Sequence, residues 1–83
     1  VSKKQPKFTV SVTYDGYDQI LDRQLENVAG RMGDSGYGFG QRDLDFDFVQ
    51  LSAAERCEKR LRSYLRQVKK YRWKVILREV EDA

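Results

Sequence analysis

The sequence predicts a two-layer α+β domain in which a four-stranded antiparallel sheet carries two helices on one face. Three observations lead there. Three segments alternate apolar and polar residues at the two-residue period of a half-buried strand. Two longer segments place apolar residues at the spacing of one helical stripe, and glycine-rich punctuation follows the first of them. One stripe per helix and one apolar face per strand are buried together only by stacking a helical layer on a sheet.

Taken in order, residues 1–6 are polar and basic, end in the only proline and predict a loose tail. Lys7–Tyr14 alternates, with Phe8, Val10, Val12 and Tyr14 on one side and Thr9, Ser11 and Thr13 on the other. Asp15-Gly16 breaks this strand, and Asp15 is placed to cap a helix whose first turn also holds Asp18. Tyr17, Ile20, Leu21, Leu25, Val28 and Met32 form its stripe, and Gly30 and Gly33 mark its end. A hairpin follows, with a short strand near 35–39, a tight turn at Gly40-Gln41 and a strand over 42–49. That turn pairs Phe39 with Arg42 and Tyr37 with Leu44, which sets Tyr37 on the core side with Leu44, Phe46 and Phe48. Ser52-Ala-Ala-Glu55 has the form of a capping box opening the second helix. Its stripe is Ala54, Cys57, Leu61, Tyr64, Leu65 and Val68. In the last strand Trp73, Val75 and Leu77 point inward and Arg72, Lys74, Ile76 and Arg78 outward, and an acidic segment, 81–83, follows.

The succession β-α-β-β-α-β over residues 7–80 resembles the ferredoxin-like α/β plait, in which right-handed crossovers give the strand order 4-1-3-2. That architecture carries many unrelated functions, so the resemblance implies a fold and no activity. A chain of 83 residues supports a single core, and 40% hydrophobic with 35% charged residues suits a folded domain. No apolar run approaches the roughly 20 residues of a membrane-spanning helix. One cysteine rules out an internal disulfide, and without histidine the metal patterns built on Cys and His are absent. A reduced, cytoplasmic protein without cofactor or membrane partner is expected.

Charge is the most informative feature for function. Residues 51–78 carry ten Lys/Arg against two acids, and residues 13–50 carry eight acids against three bases. The net charge of +3 therefore conceals a polarised molecule, which concerns partners more than fold. Solvated helices usually mix signs, since pairs three or four apart stabilise them. Here Glu55–Lys59 and Glu58–Arg62 supply two such pairs and leave most of the bases unmatched. The expectation is a small, non-catalytic binding or regulatory module. Arg56, Lys59, Arg60, Arg62, Arg66, Lys69 and Lys70, extended by Arg72 and Lys74, would dock an anionic macromolecule, nucleic acid being favoured over an acidic protein surface.

Other motifs carry less. Gly36-Tyr-Gly-Phe39 resembles the heart of the RNP1 motif of RNA-recognition domains. It departs from it at Ser35, Gly40 and Arg42, and it precedes the third strand instead of lying on it. A hairpin bearing Tyr37, Phe39 and Arg42 remains a candidate contact loop. Asp43, Asp45 and Asp47 share one face of their strand and are expected to form a solvated or partner-facing acidic stripe; no metal site is assigned to them. Cys57 falls in the apolar stripe with no histidine to activate it, as a structural thiol would. Ile76 among outward bases hints at a pairing surface for a second chain, hence a homodimer. The alternative to nucleic-acid binding is a protein–protein adaptor or inhibitor, such as a phage- or plasmid-encoded factor, using the basic helix and the acidic face together.

Overall fold

Strand alternation, helical stripes and left-handed glycines at the turns, Gly30 after the first helix and Gly40 in the hairpin among them, generate the architecture of the computed structural model, which describes the backbone of residues 6–81 and the side chains of 7–80. The elements are β1 (Pro6–Asp15), α1 (Gln19–Ala29), β2 (Asp34–Gly38), β3 (Gln41–Phe48), α2 (Leu51–Leu65) and β4 (Trp73–Glu81). The strands lie in the order β2-β3-β1-β4 and every neighbouring pair is antiparallel. This is the predicted plait order read from its other edge. Pro6 already pairs in β1, while the basic tail 1–5 and the acidic residues 82–83 lie outside the described residues.

The core is the interior between the two layers. From the sheet come Val10, Val12, Tyr14, Leu44, Phe46, Phe48 and Val75, and from the helices Leu21, Leu25, Ala54, Cys57, Leu61 and Leu65. Burying each of the larger apolar side chains is worth roughly 1.5–3 kcal/mol. Trp73 and Leu77 pack partly against this cluster, as do Tyr64 and Val68.

Four local expectations are corrected. The cap of α1 is Asp18, whose carboxylate accepts from the N–H groups of Ile20 and Leu21; Asp15 stays in the sheet, its N–H bonded to the Arg72 carbonyl at 3.0 Å. Because α1 begins at Gln19, its inward stripe starts at Leu21. Tyr17, Ile20 and Met32 are left 49%, 71% and 84% exposed. The capping box at Ser52 does not form: α2 opens from Gln50 with no side-chain cap bond, which places Ser52 inside the first turn. Its end also comes early, at Leu65. Gln67 and Val68 then bond the carbonyls of Tyr64 and Leu65 in tighter turns, so Lys69 and Lys70 sit in the following loop.

The hairpin turn is shifted as well. Tyr37 pairs with Arg42 and Gly38 with Gln41, leaving Phe39-Gly40 as the two central residues. Both have positive φ, 53° and 76°, as a mirror-image type I turn requires. The predicted turn at Gly40-Gln41 would instead force Gln41 into that region. Local chemistry is thus evenly balanced, and distant bonds decide: Gly16 N–H donates to the Gly40 carbonyl at 2.7 Å, and Gln41 pairs with Asp15. The turn moves by one residue and the pairing register by two, so Tyr37 keeps its predicted side of the sheet. On the edge strand, however, it lies beyond the core and is 56% exposed.

Candidate anionic-partner interface

The outer surface of α2 is fixed by what its inner surface buries. Ala54, Cys57, Leu61 and Leu65 form one inward line, which turns Arg56, Lys59, Ser63 and Arg66 directly away from the sheet. Arg60 lies on the flank toward α1, where Lys59, Arg60, Ser63, Tyr64, Gln67 and Val28 line a shallow groove between the helices. Arg56, Lys59, Arg60 and Arg66 are exposed, and none of them forms an ion pair among the described residues. Lys69, Lys70 and Arg72 are exposed on the loop beyond the helix. Lys70 stands 5.5 Å from the Tyr71 ring, and the Tyr71 hydroxyl donates to Asp18.

Two of the predicted basic residues do not belong to this surface. Arg62 is a brace: it pairs with Glu58 at 3.1 Å and donates to the Val75 carbonyl at 2.6 Å. Lys74 alternates with the inward Trp73 and Val75, pairs with Thr13 and faces the open side of the sheet, across the domain from the outer face of α2. The bases therefore divide between two surfaces, one helical and one on the sheet.

The proposed contact loop divides too. Phe39 is fully exposed at the turn tip, and Tyr37 packs edge-on to Tyr17 with ring centroids 5.5 Å apart. Tyr37 points to the helix side, so the open sheet face has no aromatic platform of the RNP1 kind. Arg42 is not available as a contact residue. Its guanidinium pairs with Asp22 at 2.8 Å, both side chains being nearly buried, and it lies 4.5 Å from the Tyr17 ring centroid. The same Asp22 accepts from the Tyr14 hydroxyl at 2.5 Å. Burial, then this bond, raises the Tyr14 phenol above its ordinary range. Asp18, which caps α1, is held below the ordinary carboxylate range by the Leu21 N–H and then by the Tyr71 hydroxyl.

This Tyr14–Asp22–Arg42 network escaped the sequence reasoning, although a signal for it was present. Arg42 has the same strand parity as Leu44, Phe46 and Phe48, and a charge on an apolar face needs a buried partner. Asp22 directly follows the buried Leu21 and is itself buried. Arg31, exposed in the loop after α1, lies 4.0 Å from the Phe48 ring centroid and donates to the Asp47 carbonyl.

Asp43, Asp45 and Asp47 share the open face as predicted. The hydroxyls of Thr13 and Thr9 donate to Asp43 and Asp47 at 3.0 and 2.8 Å, and Lys7 stands 3.3 Å from Asp47. Among the described residues no three Cys, Asp or Glu side chains converge to hold a metal ion. Cys57 is buried and its thiol is pushed up to about 11 by desolvation. No described helix is long and apolar enough to cross a membrane.

No protein-family model matches the chain, and comparison with curated proteins gives no match either.

Proposed function

We propose that this domain is a non-catalytic binding module that docks the phosphate backbone of a nucleic acid on the outer surface of α2 and the loop that follows it. One observation supports this above the rest: Arg56, Lys59, Arg60 and Arg66 stand together, exposed and without acidic neighbours bonded to them, while nearby Glu58 is committed to Arg62. Like charges within a Debye length of about 8 Å repel, and an anion laid over them relieves that repulsion. Lys69, Lys70 and Arg72 extend the surface toward one end of the sheet. Contacts of this kind position a protein on phosphates and read little sequence.

The test is fluorescence anisotropy with duplex DNA, single-stranded DNA and RNA. Five phosphate contacts on duplex DNA imply a log–log salt slope near −4.5, so affinity falls roughly 500-fold between about 50 and about 200 mM salt. The informative variant is Arg56→Glu/Arg60→Glu/Lys69→Glu. It leaves Arg62 in place, because reversing that brace would damage the fold as well as the surface. Salt-steep binding abolished by the variant supports the proposal. Failure of all three nucleic acids to bind at low salt refutes it and favours an acidic protein partner for the same residues.

A further inference from the structure

The open face of the sheet, opposite both helices, is organised in columns. β3 contributes Asp43, Asp45 and Asp47, β1 contributes Thr13, Ser11 and Thr9, and β4 contributes Lys74, Ile76 and Arg78. Strand register aligns these in rows: Asp43-Thr13-Lys74, Asp45-Ser11-Ile76 and Asp47-Thr9-Arg78. In the two outer rows an acid and a base thus flank a threonine. The acid and base columns are two strand spacings apart, roughly 9–10 Å, too far to pair across β1; Asp43 has no ion pair among the described residues, and Asp47 has the half-exposed one with Lys7, at the end of the β1 column. Thr9 and Thr13 each bond the neighbouring carboxylate, which fixes the acids in place. At the centre, the Ser11 hydroxyl is buried with no hydrogen-bond partner, beside Ile76, which is 42% exposed.

Such a face is complementary to itself under one symmetry. A two-fold axis parallel to β1 reverses left and right while keeping each row in place. It lays Asp43 of one copy over Lys74 of the other, Asp47 over Arg78, and Ser11 over Ser11. A two-fold axis across the strands would stack acids on acids. Sheets pack roughly 10 Å apart, a gap that aspartate and a long basic side chain reaching from opposite sides can span. We infer that the open sheet face is a homodimer interface, with two copies of this chain stacked about a two-fold axis parallel to β1. The helices of both copies then lie outermost, so the interface does not compete with the α2 surface.

Equilibrium sedimentation of the full chain and of two charge-swapped variants, Asp43→Lys/Asp47→Lys and Lys74→Asp/Arg78→Asp, tests this. The wild type should be dimeric at sub-millimolar concentration, and each variant alone monomeric with an unchanged far-UV circular dichroism spectrum. An equimolar mixture of the two should recover a dimer, because each then supplies the column that the other lacks. A milder variant, Asp43→Asn/Asp47→Asn, retains the oxygens that accept from the threonines and should weaken the dimer about tenfold or more. A monomeric wild type, dimers undiminished in the variants, or a mixture that stays monomeric although both variants are folded would each overturn the inference.

Discussion

Replacing Arg42 by methionine removes the cation that faces Asp22 while keeping most of the hydrophobic stem. The two side chains are 13% and 11% exposed, so the pair sits at the dry rim of the core. Removing one member of a buried pair typically costs about 3–5 kcal/mol, because the remaining charge is stranded. Two details adjust that figure in opposite directions. Asp22 retains the Tyr14 hydroxyl, which lowers the cost, and the guanidinium contact with the Tyr17 ring is lost, which adds about 0.5–1 kcal/mol. About 3 kcal/mol is the net expectation, against a total stability of roughly 4–12 kcal/mol for a domain of this size. The assay is urea unfolding followed by the fluorescence of Trp73, the only tryptophan, which is partly buried against the core. Arg42→Met, Asp22→Asn and the double variant close a cycle whose coupling should be about 2 kcal/mol, the double variant being far less damaged than the sum of the singles. Singles that add to within about 0.5 kcal/mol, or an Arg42→Met cost under about 1 kcal/mol, would refute the reasoning and class the pair with surface ion pairs.

Gly33→Ala should destabilise the fold by about 1–3 kcal/mol in the same assay, since its Cβ would meet the Asp45 carbonyl oxygen at 2.6 Å, whereas Gly36→Ala enters open space and should change little. Asp18 has a folded-state pKa below its unfolded value, so its contribution is present above about pH 4 and is lost as pH falls through the folded value. Asp18→Asn, which keeps a capping oxygen, should flatten the acid limb of a thermal-stability profile, and an unchanged limb would contradict this. Cys57, with its thiol raised to about 11, should resist alkylation at neutral pH in the folded protein and react promptly in urea; equal rates in both states would contradict its burial.

Much of the plait was legible because single-faced burial imposes its period on the chain. Val10, Val12 and Tyr14 in β1, Leu44, Phe46 and Phe48 in β3, and Val75 in β4 all lie where alternation placed them. The same constraint located Leu21, Leu25, Cys57 and Leu61. Element ends were less legible, since a cap competes with tertiary bonds that no local pattern records. Asp15 is a good capping residue, yet its N–H is taken by Arg72, and the helix waits for Asp18. The charge of α2 was visible in composition and the Glu58–Arg62 pair in its spacing, but the bond from Arg62 to the Val75 carbonyl depends on where β4 lies beside the helix. Lys74 was misplaced for a related reason. Strand parity puts it on the open sheet face, and proximity in sequence to Lys70 does not carry it onto the helical surface.

The Arg62 brace has a consequence for how the sheet ends. The Asp15 N–H bonds the Arg72 carbonyl, so backbone groups at 74, 76 and 78 turn toward β1, and those at 73, 75 and 77 turn to the outer margin of β4. A long unpaired margin of this kind invites a strand from another molecule and, repeated, the growth of fibrils. Arg62 reaches over the helix flank and occupies the Val75 carbonyl near the middle of that margin, where an incoming strand would have to begin its ladder. The contact that ties α2 to the strand thus removes one acceptor from the middle of that margin, and Glu58 holds the guanidinium that does so.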